Sequence, residues 1–159
     1  MSLYCPIRNK SVANLPEERV RVHFLNYLIT EKGFPKASFV LEQQLSQMPH
    51  LNLQEQKIPN RRADIICFGK NIHPEHEFFP LLLIECKAVK LTKRTMNQLM
   101  GYNHFLQAYF IAAVNDHEVQ FAWFDEVSQQ HQFAKEIPAY SALRGAVVSL
   151  SVPVPVPDS

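Results

Sequence analysis

Two acids and an amine stand where the side chains of a sheet core are expected. Asp64 lies in Arg-Arg-Ala-Asp-Ile-Ile-Cys-Phe (61–68), and Glu85 and Lys87 close the apolar run Pro-Leu-Leu-Leu-Ile-Glu-Cys-Lys (80–87). Burying an unpaired charge is costly enough that the group finds a partner or shifts its pKa. In an extended strand, side chains alternate, so Glu85 and Lys87 point to one side and Cys86 to the other. If the two strands form a hairpin, Asp64 comes to stand beside Glu85. Two neighbouring carboxylates repel, and a hard divalent cation removes the conflict. Mg²⁺ is commonly held by one or two carboxylates, with water and substrate phosphate completing the octahedron, and Mn²⁺ accepts the same oxygen donors. Asp64, Glu85 and the Cys86 carbonyl are the candidate ligands. Lys87 could then orient or deprotonate an attacking water and help stabilise a pentacovalent phosphate. That chemistry is metal-assisted phosphodiester hydrolysis. The competing reading is a structural ion-pair cluster in which Lys87 neutralises one carboxylate.

The elements around these residues follow from periodicity and end signals. A first helix is expected from near Asn14, which has capping-box spacing to Glu17, with Pro16 at an early helical position. Val20, Phe24, Tyr27 and Leu28, with Val22, Leu25 and Ile29, give it a wide apolar face, and Gly33 followed by Pro35 ends it. Residues 38–45 read as a strand at a sheet edge, 46–60 as a polar loop, 61–68 as the Asp64 strand, and 69–79 as a polar turn. A second helix over 91–105 places Arg94, Gln98 and Tyr102 on one stripe, beside the apolar Met96, Leu99 and Met100. Strands follow at 108–114 and 119–124, while 125–150 has no clear period. Residues 1–13 lack periodicity and read as a loosely packed arm, and 151–159, where Pro alternates with Val, read as an extended, disordered tail. The core domain is therefore 14–150. Helix, three strands, helix, two strands predicts an α/β fold: a central mixed sheet of about five strands between helical layers. A strand as apolar as 80–87 needs cover on both faces.

Composition narrows the class further. The chain has 159 residues, 47% of them hydrophobic and 19% charged, which suits one soluble globular domain without a membrane span. The N-terminus lacks the basic-then-apolar pattern of a signal peptide, so a cytoplasmic location is expected. Three cysteines without metal-like spacing argue against a disulfide framework, and Cys67 and Cys86 read as small core residues on neighbouring strands. The net charge is only +1, but half of the sixteen Lys and Arg lie between Lys57 and Arg94. No acid follows Glu85 until Asp116.

Five segments, in order, carry a resemblance. Pro-Glu-Glu-Arg-Val-Arg-Val-His-Phe-Leu-Asn-Tyr-Leu-Ile (16–29), Glu-Lys-Gly-Phe-Pro (31–35), Arg-Arg-Ala-Asp-Ile (61–65), Leu-Leu-Leu-Ile-Glu-Cys-Lys-Ala (81–88) and Gln-x-x-x-Tyr-Asn (98–103) resemble the N-terminal nuclease domain of type I restriction enzyme R subunits, particularly its short, free-standing bacterial relatives. The resemblance covers about residues 14–125, within the PD-(D/E)xK nuclease superfamily. It implies a restriction-endonuclease-like α/β/α sandwich in which Asp64 and Glu85 bind the metal and Lys87 is catalytic. Gln98 and Tyr102 would support the site or contact DNA, and a glutamate at the start of the first helix, Glu17 or Glu18, would face it. Some features depart from the family pattern. No Gly-rich phosphate loop occurs, so DNA pumping is not expected of this chain. The stretch between Asp64 and Glu85 carries a longer polar insertion, and Asn115 and Asp116 replace the usual Asn-Gly turn.

The resulting expectation is a Mg²⁺-dependent DNA endonuclease, possessing little that reads bases, with specificity that is low or supplied by a protein partner. Cleaving both strands would favour two active sites, hence a homodimer. The alternative is a catalytically silent DNA-binding or assembly module on the same scaffold. Several residues have plainer roles available. Glu17 fits the helix cap, and Glu42 fits a solvated edge strand. His73 and His76 fit a solvated turn, and Trp123 fits sheet packing. Arg61, Arg62, Lys90, Lys93 and Arg94 suit phosphate contacts or a solvated surface equally.

Overall fold

A computed structural model describes residues 3–44 and 62–151. The chain runs β1 (Leu3–Cys5), β2 (Lys10–Val12), α1 (Pro16–Glu31), a 3-10 turn (Lys36–Ser38), β3 (Phe39–Gln44), β4 (Arg62–Lys70), β5 (Phe78–Cys86), α2 (Lys93–Leu106), β6 (Phe110–Val114), β7 (Val119–Asp125), β8 (Gln130–Ala134) and α3 (Tyr140–Ser151). Strands β3 to β8 form one six-stranded sheet in sequence order, and β1 and β2 form a small separate one. Within the large sheet only β5 and β6 are parallel, and α2 makes the crossover between them. The other pairs are antiparallel.

The sheet is covered on both faces. On one side α1 and α3 bury Val20, Val22, Leu25, Leu28, Leu143 and Val147 against Ile65, Cys67, Leu82, Ile84 and Phe121. On the other, α2 buries Met96, Leu99, Tyr102 and Leu106 against Ile66, Leu83, Ile111 and Ala113. Burial of each such Leu, Ile or Val contributes about 1.5–3 kcal/mol. Strand β5 is buried continuously from Phe79 to Ile84, as a doubly covered strand must be. The expected α/β sandwich is thus observed, with six strands instead of about five. The additional one, β8, lies in the stretch without a clear period, and its Gln-His-Gln-Phe-Ala sequence carries little apolar signal.

Local structure follows the end signals closely in places. Gly33 adopts φ +72° after α1, and Phe34 N–H donates to Leu28 O at 3.1 Å, closing the helix as Gly at this position permits. Thr92 caps α2 reciprocally with Thr95. Three readings are corrected. Helix α1 begins at Pro16 with Leu15 as its cap, which makes no side-chain hydrogen bond, so the Asn14 and Glu17 capping box does not form. Arg21 occupies the buried face of α1 while Tyr27 is exposed, because Arg21 finds carboxylate partners there. Residues 3–12, expected to be loose, form the β1–β2 pair and bury Cys5 in the main core. The loop expected at 46–60, Arg61, and the tail from 152 onward lie outside the described residues. Among the described residues no helix is long and apolar enough to cross a membrane.

Candidate functional site

Strand pairing decides whether the two acids meet. Ile65 pairs with Ile84 and Ile66 with Leu83 in the antiparallel β4–β5 hairpin, and just past the end of this ladder Asp64 Oδ2 accepts from the N–H of Cys86, the neighbour of Glu85. Residues opposite one another in an antiparallel pair share a sheet face, with Cβ atoms about 4.5–5.5 Å apart. The alternation that sends Ile66 and Leu83 toward α2 sends Asp64 and Glu85 there as well. Cys86 points to the opposite core, as do Cys67 and Cys5, and all three thiols are free and buried. Burial pushes the Cys67 thiol up to about 12 and the Cys86 thiol well above its ordinary value. Both are therefore unreactive packing groups at neutral pH.

At the end of β5, Lys87 Nζ lies 3.5 Å from Glu85 Oε1, with both side chains mostly buried. Glu85, Lys87, Thr95, Gln98, Leu99 and Tyr102 line one narrow cleft between the strand end and α2, with about 10 Å³ of space inside. Gln98 and Tyr102 reach it because they lie one turn apart on the helix. Arg94, one turn earlier, is exposed at the start of α2 together with Lys90 and Lys93.

Asp64 is not among the residues that line this cleft, and the charges of Arg21 and Glu17 on α1 reach it. Its Oδ2 accepts a 2.8 Å hydrogen bond from Cys86 N–H. Burial raises its carboxyl above the ordinary value, and the charge of Glu17 adds to this. The Cys86 N–H, Arg21 and Lys87 act in the opposite sense without cancelling it. Of the two acids that open α1, Glu17 is the one whose charge reaches Asp64. Glu18 is taken up elsewhere, pairing with Arg21 at 2.5 Å and Arg8 at 3.3 Å.

That pairing belongs to a network beyond the residues singled out in the sequence. Arg21, only 6% exposed, is the one buried charged residue among those described. Glu42 completes the ring, 2.6 Å from Arg8 Nη2 and 3.1 Å from Arg21 Nη1. In a regular β3, Glu42 would stand opposite Asp64, since Leu41 pairs with Ile65 and Gln43 with Ala63. Its backbone instead takes φ +50°, which is strained for a residue with a Cβ. The two arginines hold the side chain in that state. A signal was available: Arg21 interrupts the apolar Val20 and Val22 with Glu18 one turn before it. The contribution of Glu42 and Arg8 was hidden because it depends on which strand and hairpin pack beside α1. His73 and His76 form a packed turn, with the His73 ring stacked on Phe79 at 4.2 Å. Trp123 packs against Phe121 on the sheet.

The donor set at Asp64 and Glu85 suits a hard cation. Two carboxylates with a neighbouring backbone carbonyl match what Mg²⁺ takes from a protein when water and phosphate fill its remaining positions. Among the described residues no group of three or more His, Cys, Asp or Glu is arranged to hold a metal, so an all-protein cage of the structural zinc kind is not offered.

The mixed sheet between helical layers, with acidic groups at the ends of a central hairpin and a lysine beside them, defines a restriction-endonuclease-like α/β domain. The sequence model of the family described as Type I restriction enzyme R protein N terminus (HSDR_N) matches residues 16–138, well over half of the chain. The protein belongs to this family. No curated protein and no solved structure matches it.

Proposed function

We propose that the chain is a Mg²⁺-dependent deoxyribonuclease domain that hydrolyses phosphodiester bonds at the β4–β5 strand ends. The supporting observation is that Asp64 Oδ2 accepts from the N–H of Cys86, the neighbour of Glu85, while Glu85 lines one cleft with Lys87, Gln98 and Tyr102. Asp64, Glu85 and the Cys86 carbonyl would hold the metal, and Mn²⁺ would serve in its place. When bound, the ion supplies Lewis-acid polarisation of the phosphate and acidifies a water. Lys87 Nζ is placed by Glu85 and faces the same cleft, where it would orient the attacking water and offset charge developing on the phosphate. Gln98 and Tyr102 form the helical wall that fixes the Lys87 side chain's space. Glu17 adds negative charge near Asp64 and would act on the ion through water. Exposed Lys90, Lys93 and Arg94 offer phosphate contacts, a sequence-independent source of affinity for DNA. Specificity would come from a partner protein, and double-strand cleavage from a second copy.

The 3.5 Å pair of Glu85 and Lys87 is also what a purely structural ion pair presents, and a silent DNA-binding or assembly module would retain it. A plasmid-nicking assay with Mg²⁺ separates the two. Glu85→Ala and Lys87→Ala should each reduce the rate by about 10²-fold or more, the scale of losing one transition-state contact. Equal rates for the wild type and both variants would remove the enzymatic reading.

A further inference from the structure

We infer that Asn115 and Glu118, in the turn between β6 and β7, are positioning residues for Lys87. This rests on the catalytic reading of Lys87 above. Lys87 is the first residue after β5, at the head of the short loop that leads to the Thr92 cap of α2. A residue so placed has no strand ladder beyond it, and Ala88, Val89 and Lys90 after it are all exposed. Three hydrogen bonds nevertheless tie this loop down, and all three come from the end of β6 and the turn that follows. Lys87 N–H donates to Val114 O at 2.9 Å, Asn115 Nδ2 donates to Val89 O at 3.0 Å, and Leu91 N–H donates to Glu118 Oε1 at 3.0 Å.

The turn itself is braced for this task. Asn115 Oδ1 accepts from both His117 N–H and Glu118 N–H at 2.8 Å, and Asn115 N–H donates to Glu118 O at 3.1 Å. Asn115 Nδ2 also lies 3.4 Å from Glu118 Oε1, so each clasping side chain steadies the other. The carboxamide is used at both ends: its oxygen folds the turn and its nitrogen holds the loop. Aspartate could fold the turn, but it would set a carboxylate against the Val89 carbonyl. Glu118 needs only an acceptor oxygen toward Leu91, which glutamine can supply. Because Leu91 is buried immediately before the α2 cap, the clasp fixes two walls of the cleft together: the Lys87 backbone and the helix that carries Gln98 and Tyr102. Misplacing a catalytic group by about 1 Å can cost on the order of 10²-fold in rate.

The test compares the full-length wild type with Glu118→Ala, Glu118→Gln and Asn115→Asp by two readouts. In Mg²⁺-dependent nicking, Glu118→Ala and Asn115→Asp should lower kcat by about 10- to 100-fold with KM for DNA unchanged, while Glu118→Gln stays near wild type. In competitive acylation of lysine amines read by mass spectrometry, Lys87 should become more reactive in the same two variants, with Lys93 unchanged and Glu118→Gln again like wild type. If Glu118→Ala fails to fold, Asn115→Asp carries the comparison, because it keeps the turn's acceptors and replaces the donor to Val89 and Glu118 with a carboxylate oxygen. A wild type that does not nick would refute the nuclease reading, and the acylation pattern would still decide whether the clasp sets Lys87. A folded Glu118→Ala or Asn115→Asp variant with wild-type Lys87 reactivity would overturn the inference. So would a loss that Glu118→Gln shares in full.

Discussion

Removing Glu18 should destabilise the protein far more than removing Glu42, although both carboxylates pair with the same arginine. Arg21 is buried, and Glu18, 2.5 Å away, is itself largely buried. Stripping the partner from a buried ion costs about 3–5 kcal/mol, mostly through the charge left behind. Glu42 remains 3.1 Å away, but its side chain is 42% exposed and therefore screened, which offsets about 1 kcal/mol. Glu18→Ala should consequently cost about 2–4 kcal/mol, and Glu42→Ala about 0.5–1 kcal/mol. In a domain of this size the first loss lowers Tm by roughly 4–16 °C. Urea melts at pH 7 measure both, and Arg21→Met supplies the control, since Glu18→Ala made in that background should cost little. The network also has a pH signature. Burial opposes ionisation of Glu42, yet Arg21 and Arg8 outweigh it and hold the carboxyl below its ordinary value. The folded state then binds this proton more weakly than the unfolded state does. Its contribution is present above the unfolded pKa, near 4.5, and is lost as pH falls through the folded one. If Glu18→Ala costs no more than Glu42→Ala, or costs as much with Arg21 gone, the buried-charge reasoning is wrong.

Other outcomes follow from the same geometry. Asp64 has the opposite sign to Glu42: its carboxyl is raised by burial, so its contribution is full below the unfolded pKa, near 3.8, and is lost as pH rises through the folded one. Asp64→Asn should therefore melt no lower than wild type without metal at pH 7. It should also fail to show the roughly 3–6 °C rise that Mg²⁺ at ten times its Kd gives the wild type. Matching metal responses in the two proteins would disqualify Asp64 as a ligand. Gly69→Ala should cost about 1–3 kcal/mol, because an added Cβ would lie 2.5 Å from Cδ1 of the buried Ile72, and a wild-type urea midpoint would contradict that packing. Cys67, pushed up to about 12, should resist alkylation at pH 8 until the protein unfolds, and rapid labelling of the native state would count against its burial.

Much of the architecture was legible because it is governed by local rules. Helix α2 was marked by its apolar spacing and the stripe that carries Gln98 and Tyr102, and the end of α1 by Gly33. Strand β5 was marked by a run of apolar residues that only a doubly covered sheet can use. Strand β8 was missed because an edge strand with exposed residues owes its form to its neighbour β7. The β1–β2 pair was missed for the same reason, as two three-residue strands have too little sequence to show a period.

The acids and the amine could be named from their misfit with apolar surroundings, since burying charge without purpose is too costly to be common, whereas Gln98 and Tyr102 were named from their one-turn spacing and the family resemblance. Sequence alternation also settled that Glu85 and Lys87 share a face, because that is a property of one strand. That Asp64 comes to the N–H of Cys86, beside Glu85, is a property of two strands, and only their pairing decides it. The same holds for Arg21, whose place inside the protein depends on carboxylates from α1 and β3 and on a second arginine from the β1–β2 hairpin. It holds as well for the hold of Asn115 and Glu118 on the Lys87 loop, across residues far apart in the chain. Chemical type and local period are written along the chain, whereas the pairing of buried charges is decided by which elements pack together, and that requires the whole fold.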